Sequence, residues 1–170
     1  MNQSIDSLLI SEQSRQSLYR LVADLMLKNK VSLATAESCT GGLIAAACTD
    51  LAGSSLWFDR GFVTYSNAAK TDMLGVDSAL IAQWGAVSEQ IARAMAQGAI
   101  KHSRAQVSVA VTGVAGPSGG TEDKPVGTVW LGWCVNGQTT TQLCHFEGDR
   151  ATVRAQTVQH ALRGLIDRLQ

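Results

Sequence analysis

The sequence predicts an α/β fold: a three-layer α/β/α sandwich with a mixed, mainly parallel sheet and one antiparallel hairpin. Helical and extended patterns alternate along the 170 residues, as they do where helices join the strands of a sheet. Residues 107–111 (VSVAV) are almost continuously apolar, which is typical of a strand buried on both faces. Asn136-Gly137 separates two extended segments and is the strongest short signal for a hairpin.

The first half of the chain alternates between helices and strands. Residues 12–30 predict an amphipathic helix, because apolar side chains recur there every three or four positions. Residues 31–36 (VSLATA) predict a short strand that runs into a glycine turn and an Ala-rich helix at 43–51. The aromatic and β-branched residues at 57–65 predict a second strand.

The second half adds helices and one long loop. A short helix at 66–75 is closed by its final glycine, and another follows at 78–84. Ser88 is a good N-cap for a longer helix, and Asp149 is the expected N-cap of the C-terminal helix. The Gly- and Pro-rich residues 112–125 predict a loop of a length that usually serves function.

Length and composition limit the classes of function. A chain of this size suits one domain over 1–170, with the N-terminal helix leading into a motif region at 31–169. Hydrophobic residues make up 45%, which excludes a disordered protein. Fourteen basic residues balance fourteen acidic ones and aromatic residues reach only 5%, so we expect no nucleic-acid partner. Without an apolar span or a signal peptide, we expect a cytoplasmic protein with no membrane contact.

The cysteines and histidines do not indicate a metal site. Cys39, Cys48, Cys134 and Cys144 form neither a CxxC pair nor a Cys/His spacing typical of zinc. We expect reduced, mostly buried thiols and no metal. The three histidines fall outside the motifs described below, so a Ser–His–Asp triad has weak support.

The first candidate site is the turn TAESCTGG at residues 35–42. A strand that feeds a glycine turn and a helix leaves backbone N–H groups that can hold a phosphate or an oxyanion. Ser38, Cys39 and Thr40 are adjacent candidate nucleophiles. No Gly-Lys-Ser/Thr follows, which excludes a nucleotide-binding P-loop. From spacing alone, an ordinary helix cap with close packing is the simpler explanation.

The second candidate is TYSNAAK at residues 64–70, at the end of a predicted strand. Open α/β sheets bind ligands at the ends of their strands. A lysine that is desolvated in a pocket has a lowered pKa, so Lys70 can act as a general base for a serine without a histidine. A solvated helix lysine is the usual alternative.

Two further segments carry candidate binding residues. Thr112 and Gly113 end a predicted strand ahead of the long loop, where glycine lets the backbone approach a ligand; a flexible surface loop is the alternative. Arg150 and Arg154 share a helix face near its start, where cations oppose the helix dipole. A phosphate bound there would resolve the conflict, and surface salt bridges are the alternative explanation.

Together, TAESCTGG, TYSNAAK, TGVAGPSGGTEDKPVGTVW and GDRATVR resemble the CinA C-terminal-domain family, whose best-known members are nicotinamide mononucleotide deamidases. The resemblance covers about residues 31–169, and four motifs in one order are far more specific than any one of them. It implies an α/β/α domain that hydrolyses the nicotinamide carboxamide to a carboxylate and releases ammonia, in pyridine nucleotide recycling. It also implies a stand-alone form, without the N-terminal domain related to molybdopterin-binding proteins that some members carry.

The resemblance also implies roles for individual residues. Ser38 would be the nucleophile of an acyl-enzyme mechanism, Lys70 its general base, and Tyr65 a further residue of the catalytic site. N–H groups around Thr40, Gly41 and Gly42 would stabilise the oxyanion, and Arg150 together with Arg154 would hold the 5′-phosphate. The expected substrate-binding residues are Thr40, Gly41, Gly42, Asn67, Thr112, Gly113, Arg150 and Arg154. The expected partner is a phosphorylated nucleotide, no cofactor is required, and a homo-oligomer is expected.

Several alternatives stay open at this point. Cys39 lies next to Ser38 and is intrinsically the more reactive nucleophile. The chain can instead be a catalytically inactive CinA-like module that binds a nucleotide or a partner, or an amidase for another phosphorylated carboxamide. The helix at 12–30 can pack within the chain or against another subunit.

Overall fold

A computed structural model of the protein describes residues 2–170, with side chains described from residue 13 onward. These residues form six α-helices, five strands and one short 3-10 helix (Ser54–Leu56). The helices are α1 (Asn2–Asn29), α2 (Leu43–Thr49), α3 (Asn67–Leu74), α4 (Ser78–Trp84), α5 (Glu89–Lys101) and α6 (Arg150–Leu169). The strands are β1 (Leu33–Glu37), β2 (Phe58–Val63), β3 (Val107–Gly113), β4 (Thr128–Val135) and β5 (Gln138–His145).

The five strands form one sheet in the order β2-β1-β3-β4-β5. Helices pack on both faces, so the predicted three-layer sandwich is confirmed, as is the hairpin at Asn136-Gly137. The prediction of a mainly parallel sheet is wrong: β1 pairs in parallel with β2 and β3, but β4 pairs antiparallel with β3 and β5. The chain returns from β3 to β4 through residues 114–127, which contain no helix to carry the chain across a face of the sheet, and an antiparallel return needs no such crossover.

The element ends follow the local sequence closely, with two differences. Ser88 and Asp149 cap α5 and α6 as predicted, since their side chains accept the N–H groups of Ile91 and Thr152. The first helix begins at Asn2 instead of about residue 12, because no glycine or proline interrupts the chain before it. The strand β3 continues through Gly113, so the long loop starts two residues later than predicted.

Side-chain size differs between the two faces of the sheet. Large apolar side chains face α1, α2 and α6, namely Leu33, Val107, Val109, Val111, Val129, Leu131 and Trp133. Small residues face α5, which lets that helix approach the strands closely. A Cβ atom added to Gly132 of β4 would lie 2.6 Å from the carbonyl oxygen of Ala92 in α5. The same helix also packs closely on α3, because a Cβ atom added to Gly98 would overlap the carbonyl oxygen of Leu74.

The parallel pairs bring three strand ends together. Glu37, the last residue of β1, is in register with Val63 of β2 and Val111 of β3. The segments that follow these strands therefore emerge at one edge of the sheet, where ligands bind in open α/β sheets.

The close packing of α5 gives a stability prediction. Gly98→Ala should lower the free energy of unfolding by about 1–2 kcal/mol, because overpacking costs roughly 1–3 kcal/mol and outweighs the gain of up to ~1 kcal/mol in helix propensity. Gln97→Ala, at the exposed neighbouring position, is the control and should change stability by less than about 0.5 kcal/mol. Urea denaturation measures both, and a Gly98→Ala protein more stable than wild type would contradict the packing argument.

Candidate active site

A cavity of about 200 Å³ lies at the edge where β1, β2 and β3 end. It is lined by Ser38, Cys39, Tyr65, Asn67, Lys70, Ala86, Val87, Thr112, Gly113, Ala115 and Arg150. Most of the residues that the sequence singled out therefore share one cavity, although they come from four separate segments of the chain.

One polar contact in the cavity joins the side chains of Lys70 and Ser38. The Nζ atom of Lys70 lies 3.1 Å from the Oγ atom of Ser38 and donates to the carbonyl oxygen of Thr64 at 2.9 Å. Lys70 is only 1% exposed. Burial lowers the pKa of Lys70, with Cys39 acting weakly in the opposite direction. In the described part of the chain no carboxylate forms an ion pair with Lys70, so nothing restores its charge.

The local sequence explains how these two side chains meet. Ser38 follows β1 directly, and its N–H donates to the carbonyl oxygen of Val111 at 3.1 Å, which fixes it against β3. Ser66 caps α3 by accepting the N–H of Ala69 at 3.0 Å, which starts the helix just before Lys70. The first turn of α3 then directs Lys70 back toward the strand ends.

The turn after Ser38 is held by a buried carboxylate. Glu37 accepts the hydroxyl of Thr40 at 2.6 Å and the N–H of Gly42 at 3.1 Å. The N–H of Gly41 donates to the carbonyl oxygen of Ser38. Thr40, Gly41 and Gly42 do not line the cavity, and the N–H groups of Gly41 and Gly42, expected to face an oxyanion, are already paired. The N–H groups of Cys39 and Thr40 donate to no other residue of the described chain.

The two arginines have different positions. Arg150 lines the cavity and is exposed; it donates to the carbonyl oxygen of Gly116 at 2.8 Å and to the hydroxyl of Tyr65 at 3.1 Å. Arg154 lies outside the cavity lining and donates to the carbonyl oxygen of Thr40 at 2.9 Å. The structure therefore separates a cation at the cavity from one that supports the turn.

Three other expected site residues also line the cavity. The hydroxyl of Thr112 is buried and donates to the carbonyl oxygen of Ala86 at 2.8 Å, so it holds the segment between α4 and α5 against the end of β3. A Cβ atom on Gly113 would lie 2.7 Å from Val129, which explains the glycine by packing within the sheet. Asn67 is exposed at the first position of α3.

Cys39 lines the cavity but is a poor nucleophile. Burial, with a smaller contribution from Glu37, raises the pKa of the Cys39 thiol to about 11, against opposing effects from its own N–H, Lys70 and Arg154. The thiolate is the reactive form of cysteine, so the thiol is nearly inert at neutral pH. This weakens the alternative that Cys39 rather than Ser38 is the nucleophile.

Sequence reasoning missed three contributors to the site. Glu37 had an available signal: a carboxylate follows a buried strand, and glycine occupies the N-cap of the next helix, where it offers no side-chain oxygen. Ala86 and Val87 also line the cavity and had no signal, because apolar residues between two helices resemble ordinary packing.

The assembled groups match the needs of acyl transfer. They comprise a hydroxyl nucleophile, an amine base, unpaired backbone N–H groups beside the nucleophile and one cation at the opening. Among side chains from residue 13 onward, no group of three or more His, Cys, Asp or Glu residues could hold a metal ion.

Comparison with known proteins now identifies the family. Residues 15–169 match the CinA C-terminal domain. The chain belongs to the CinA C-terminal domain family. Among solved structures, this CinA domain superposes with a TM-score of 0.86 on the competence/damage inducible protein CihA from Agrobacterium tumefaciens, at 47% identity over 92% of this chain and 96% of that one. A CinA superfamily protein from Klebsiella pneumoniae gives 0.88 at 39% identity, over 91% and 97%.

Relatives of this CinA domain include named enzymes. The nicotinamide-nucleotide amidohydrolase PncC from Escherichia coli (strain K12) is 46% identical over 92% of this chain and 95% of its own length. The protein of the same name from Enterobacter agglomerans is 56% identical over 77% and 83%. The CinA-like protein from Akkermansia muciniphila is 49% identical, but the chain spans only 37% of its length. The length of the chain is thus closer to that of the PncC relatives.

The raised pKa of Cys39 predicts slow alkylation. At pH 8 iodoacetamide should modify Cys39 about two orders of magnitude more slowly than a free cysteine, since the thiolate fraction falls with each unit of pKa. Peptide mass spectrometry measures the rate, with half-buried Cys144 as the internal control that should react first. Rapid, selective labelling of Cys39 would contradict this picture of the site.

Proposed function

We propose that this chain is an amidohydrolase that converts nicotinamide mononucleotide to nicotinate mononucleotide and ammonia, through an acyl-enzyme on Ser38. The observation that carries the proposal is the contact between the hydroxyl of Ser38 and the buried amine of Lys70 in the cavity. The choice of substrate rests on the relatives named nicotinamide-nucleotide amidohydrolases.

In the first half-reaction Ser38 replaces the amide nitrogen. The Oγ atom of Ser38 attacks the carboxamide carbon as its proton passes to the neutral Nζ of Lys70. The carbonyl oxygen becomes an oxyanion, for which the N–H group of Cys39, a residue of the cavity lining, is the available donor. Lys70 then gives its proton to the nitrogen, the C–N bond breaks, and ammonia leaves an ester on Ser38.

In the second half-reaction water cleaves the ester. Lys70 takes a proton from a water molecule that attacks the acyl carbon, and returns it to the Oγ atom of Ser38 as the C–O bond breaks. The products are the carboxylate of nicotinate mononucleotide and the free serine. A lowered pKa suits this role, because Lys70 must be neutral when each half-reaction begins.

The size of the cavity and the position of Arg150 fit a mononucleotide. A volume of about 200 Å³ is below the roughly 300–1,000 Å³ of sites that enclose a drug-sized ligand. We therefore infer that the cavity encloses only the nicotinamide ring and its carboxamide, while the ribose and the phosphate extend to the opening. Arg150 is exposed there, and a guanidinium is well matched to phosphate oxygens. Arg154 acts through the turn rather than on the phosphate.

Three expectations about the setting remain part of the proposal. Over residues 2–170 no helix combines the length and apolar character needed to cross a bilayer. We retain the cytoplasm as the expected location, a homo-oligomer as the expected assembly, and the absence of a nucleic-acid partner as predictions from the sequence.

The Ser/Lys pair is tested by ammonia release from nicotinamide mononucleotide. Ser38→Ala and Lys70→Ala should each reduce kcat by about 10³-fold or more, since one removes the nucleophile and the other its base. Cys39→Ser should remain active, and circular dichroism checks that each variant is folded. Activity retained in Ser38→Ala would eliminate the serine mechanism, and a wild-type protein that binds the nucleotide without turnover would indicate a binding module instead.

The role of Arg150 is tested by removing either the guanidinium of the protein or the phosphate of the substrate. Arg150→Gln should lower kcat/KM for nicotinamide mononucleotide by about 10- to 100-fold, because a hydrogen bond to a charged group contributes about 1.5–3 kcal/mol. For nicotinamide riboside, which lacks the phosphate, the variant should match wild type. Arg163→Gln on the exposed part of α6 is the control. An equal loss on both substrates would contradict phosphate recognition by Arg150.

A further inference from the structure

Glu37 is a fully buried carboxylate that the proposed reaction does not use. It is 0% exposed, yet it forms no ion pair with a described residue. Its two oxygens accept four hydrogen bonds: from the hydroxyl of Thr40, and from the N–H groups of Gly42, Ile44 and Ala45 at 3.1, 3.0 and 2.8 Å. Burying a charge is costly unless hydrogen bonds compensate it. Four hydrogen bonds to one short segment therefore indicate that the carboxylate holds that segment in place.

All four donors belong to the segment that leads from the nucleophile into α2. Gly41 and Gly42 have φ angles of +62° and +100°, a conformation that other residues rarely adopt. Gly42 occupies the N-cap position and has no side chain to accept the first N–H groups of the helix. Glu37 supplies that acceptor from the strand, so one carboxylate determines where the turn closes behind Ser38.

The same bonds decide which N–H groups remain for a ligand. Those of Gly42, Ile44 and Ala45 are occupied by Glu37, whereas those of Cys39 and Thr40 are not paired with another described residue. Glu37 is also connected to the base. Its backbone carbonyl accepts the N–H of Thr64 at 2.8 Å, and the carbonyl of Thr64 in turn accepts Nζ of Lys70.

We propose that Glu37 is a positioning residue for the amide hydrolysis: its carboxylate fixes the Ser38–Gly42 turn so that the serine hydroxyl and the N–H groups beside it keep the alignment the reaction needs. The inference rests on the proposed function, since it assumes that Ser38 reacts. It predicts that losing the carboxylate impairs the chemical step and not substrate binding. Arg150 is held by its bond to Gly116 and the Ala86 segment by its bond to Thr112, and neither bond involves Glu37.

The decisive variant is Glu37→Gln, assayed for ammonia release from nicotinamide mononucleotide beside wild type. An amide keeps the shape but replaces one acceptor oxygen with a donor, so the turn loses part of its support. We expect kcat to fall about 10- to 100-fold, the range that small misplacements of reacting groups produce, with KM changed less than about threefold. A kcat within threefold of wild type, or a loss that appears in KM, would overturn the inference.

Asp77→Asn is the matched control. Asp77 accepts the N–H of Ala79 at 2.8 Å and so caps α4, a helix of seven residues like α2, but it does not line the cavity. If a lost carboxylate cap acted only through stability, both variants would behave alike. We expect Asp77→Asn to keep the kcat of wild type, and an equal fall in kcat would overturn the inference.

A second pair of variants decides the question if Glu37→Gln does not fold. Thr40→Val removes one bond to Glu37, and Thr40→Ser retains the hydroxyl. We expect Thr40→Val to lower kcat about 3- to 10-fold and Thr40→Ser to recover most of the loss; equal kcat values would count against Glu37. A wild-type protein that releases no ammonia overturns the proposed function and this inference together, whereas an active wild type with an equally active Glu37→Gln overturns this inference alone.

Discussion

The site depends on a buried lysine amine that forms no ion pair with a carboxylate of the described residues. A charged ammonium is strongly disfavoured in such surroundings, so the protein lowers the pKa of Lys70 and brings it closer to the neutral form. A carboxylate in contact with Nζ would restore the charge and remove the base. Lys70 instead has a carbonyl and a hydroxyl as partners, which bind the amine without demanding that it be protonated.

The buried acid of the site is kept away from this amine by the architecture of the sheet. Glu37 bonds to the start of α2, which packs on one face of the sheet, while Lys70 belongs to α3 on the other face. A carboxylate and an amine that met in a small buried volume would form an ion pair, which would keep the lysine protonated. This separation leaves the Glu37 carboxylate bonded to backbone N–H groups and the Thr40 hydroxyl, and it leaves Lys70 bonded to a hydroxyl and a carbonyl.

Much of this arrangement follows from local sequence. The periodicity of apolar residues predicts the order of helices and strands, and the rule that parallel strand ends meet predicts that Ser38, Lys70 and Thr112 share one edge. The prediction contained too many parallel pairings, because the connection after β3 is long enough for a crossover and only its lack of a helical pattern indicates an antiparallel return. The sequence also could not assign Arg150 to the cavity and Arg154 to the turn, since both satisfy the same helical spacing.

The distance between the side chains of Ser38 and Lys70 is set by two neighbouring strands and not by the length of chain between the two residues. Ser38 and Lys70 are 32 residues apart, but each follows one of the adjacent strands β1 and β2, whose spacing is fixed by their backbone ladder at about 4.8 Å. The backbone ladder between these strands therefore sets the distance from the hydroxyl of Ser38 to the amine of Lys70. A change in the length of residues 50–57, which join α2 to β2, would leave that distance unchanged.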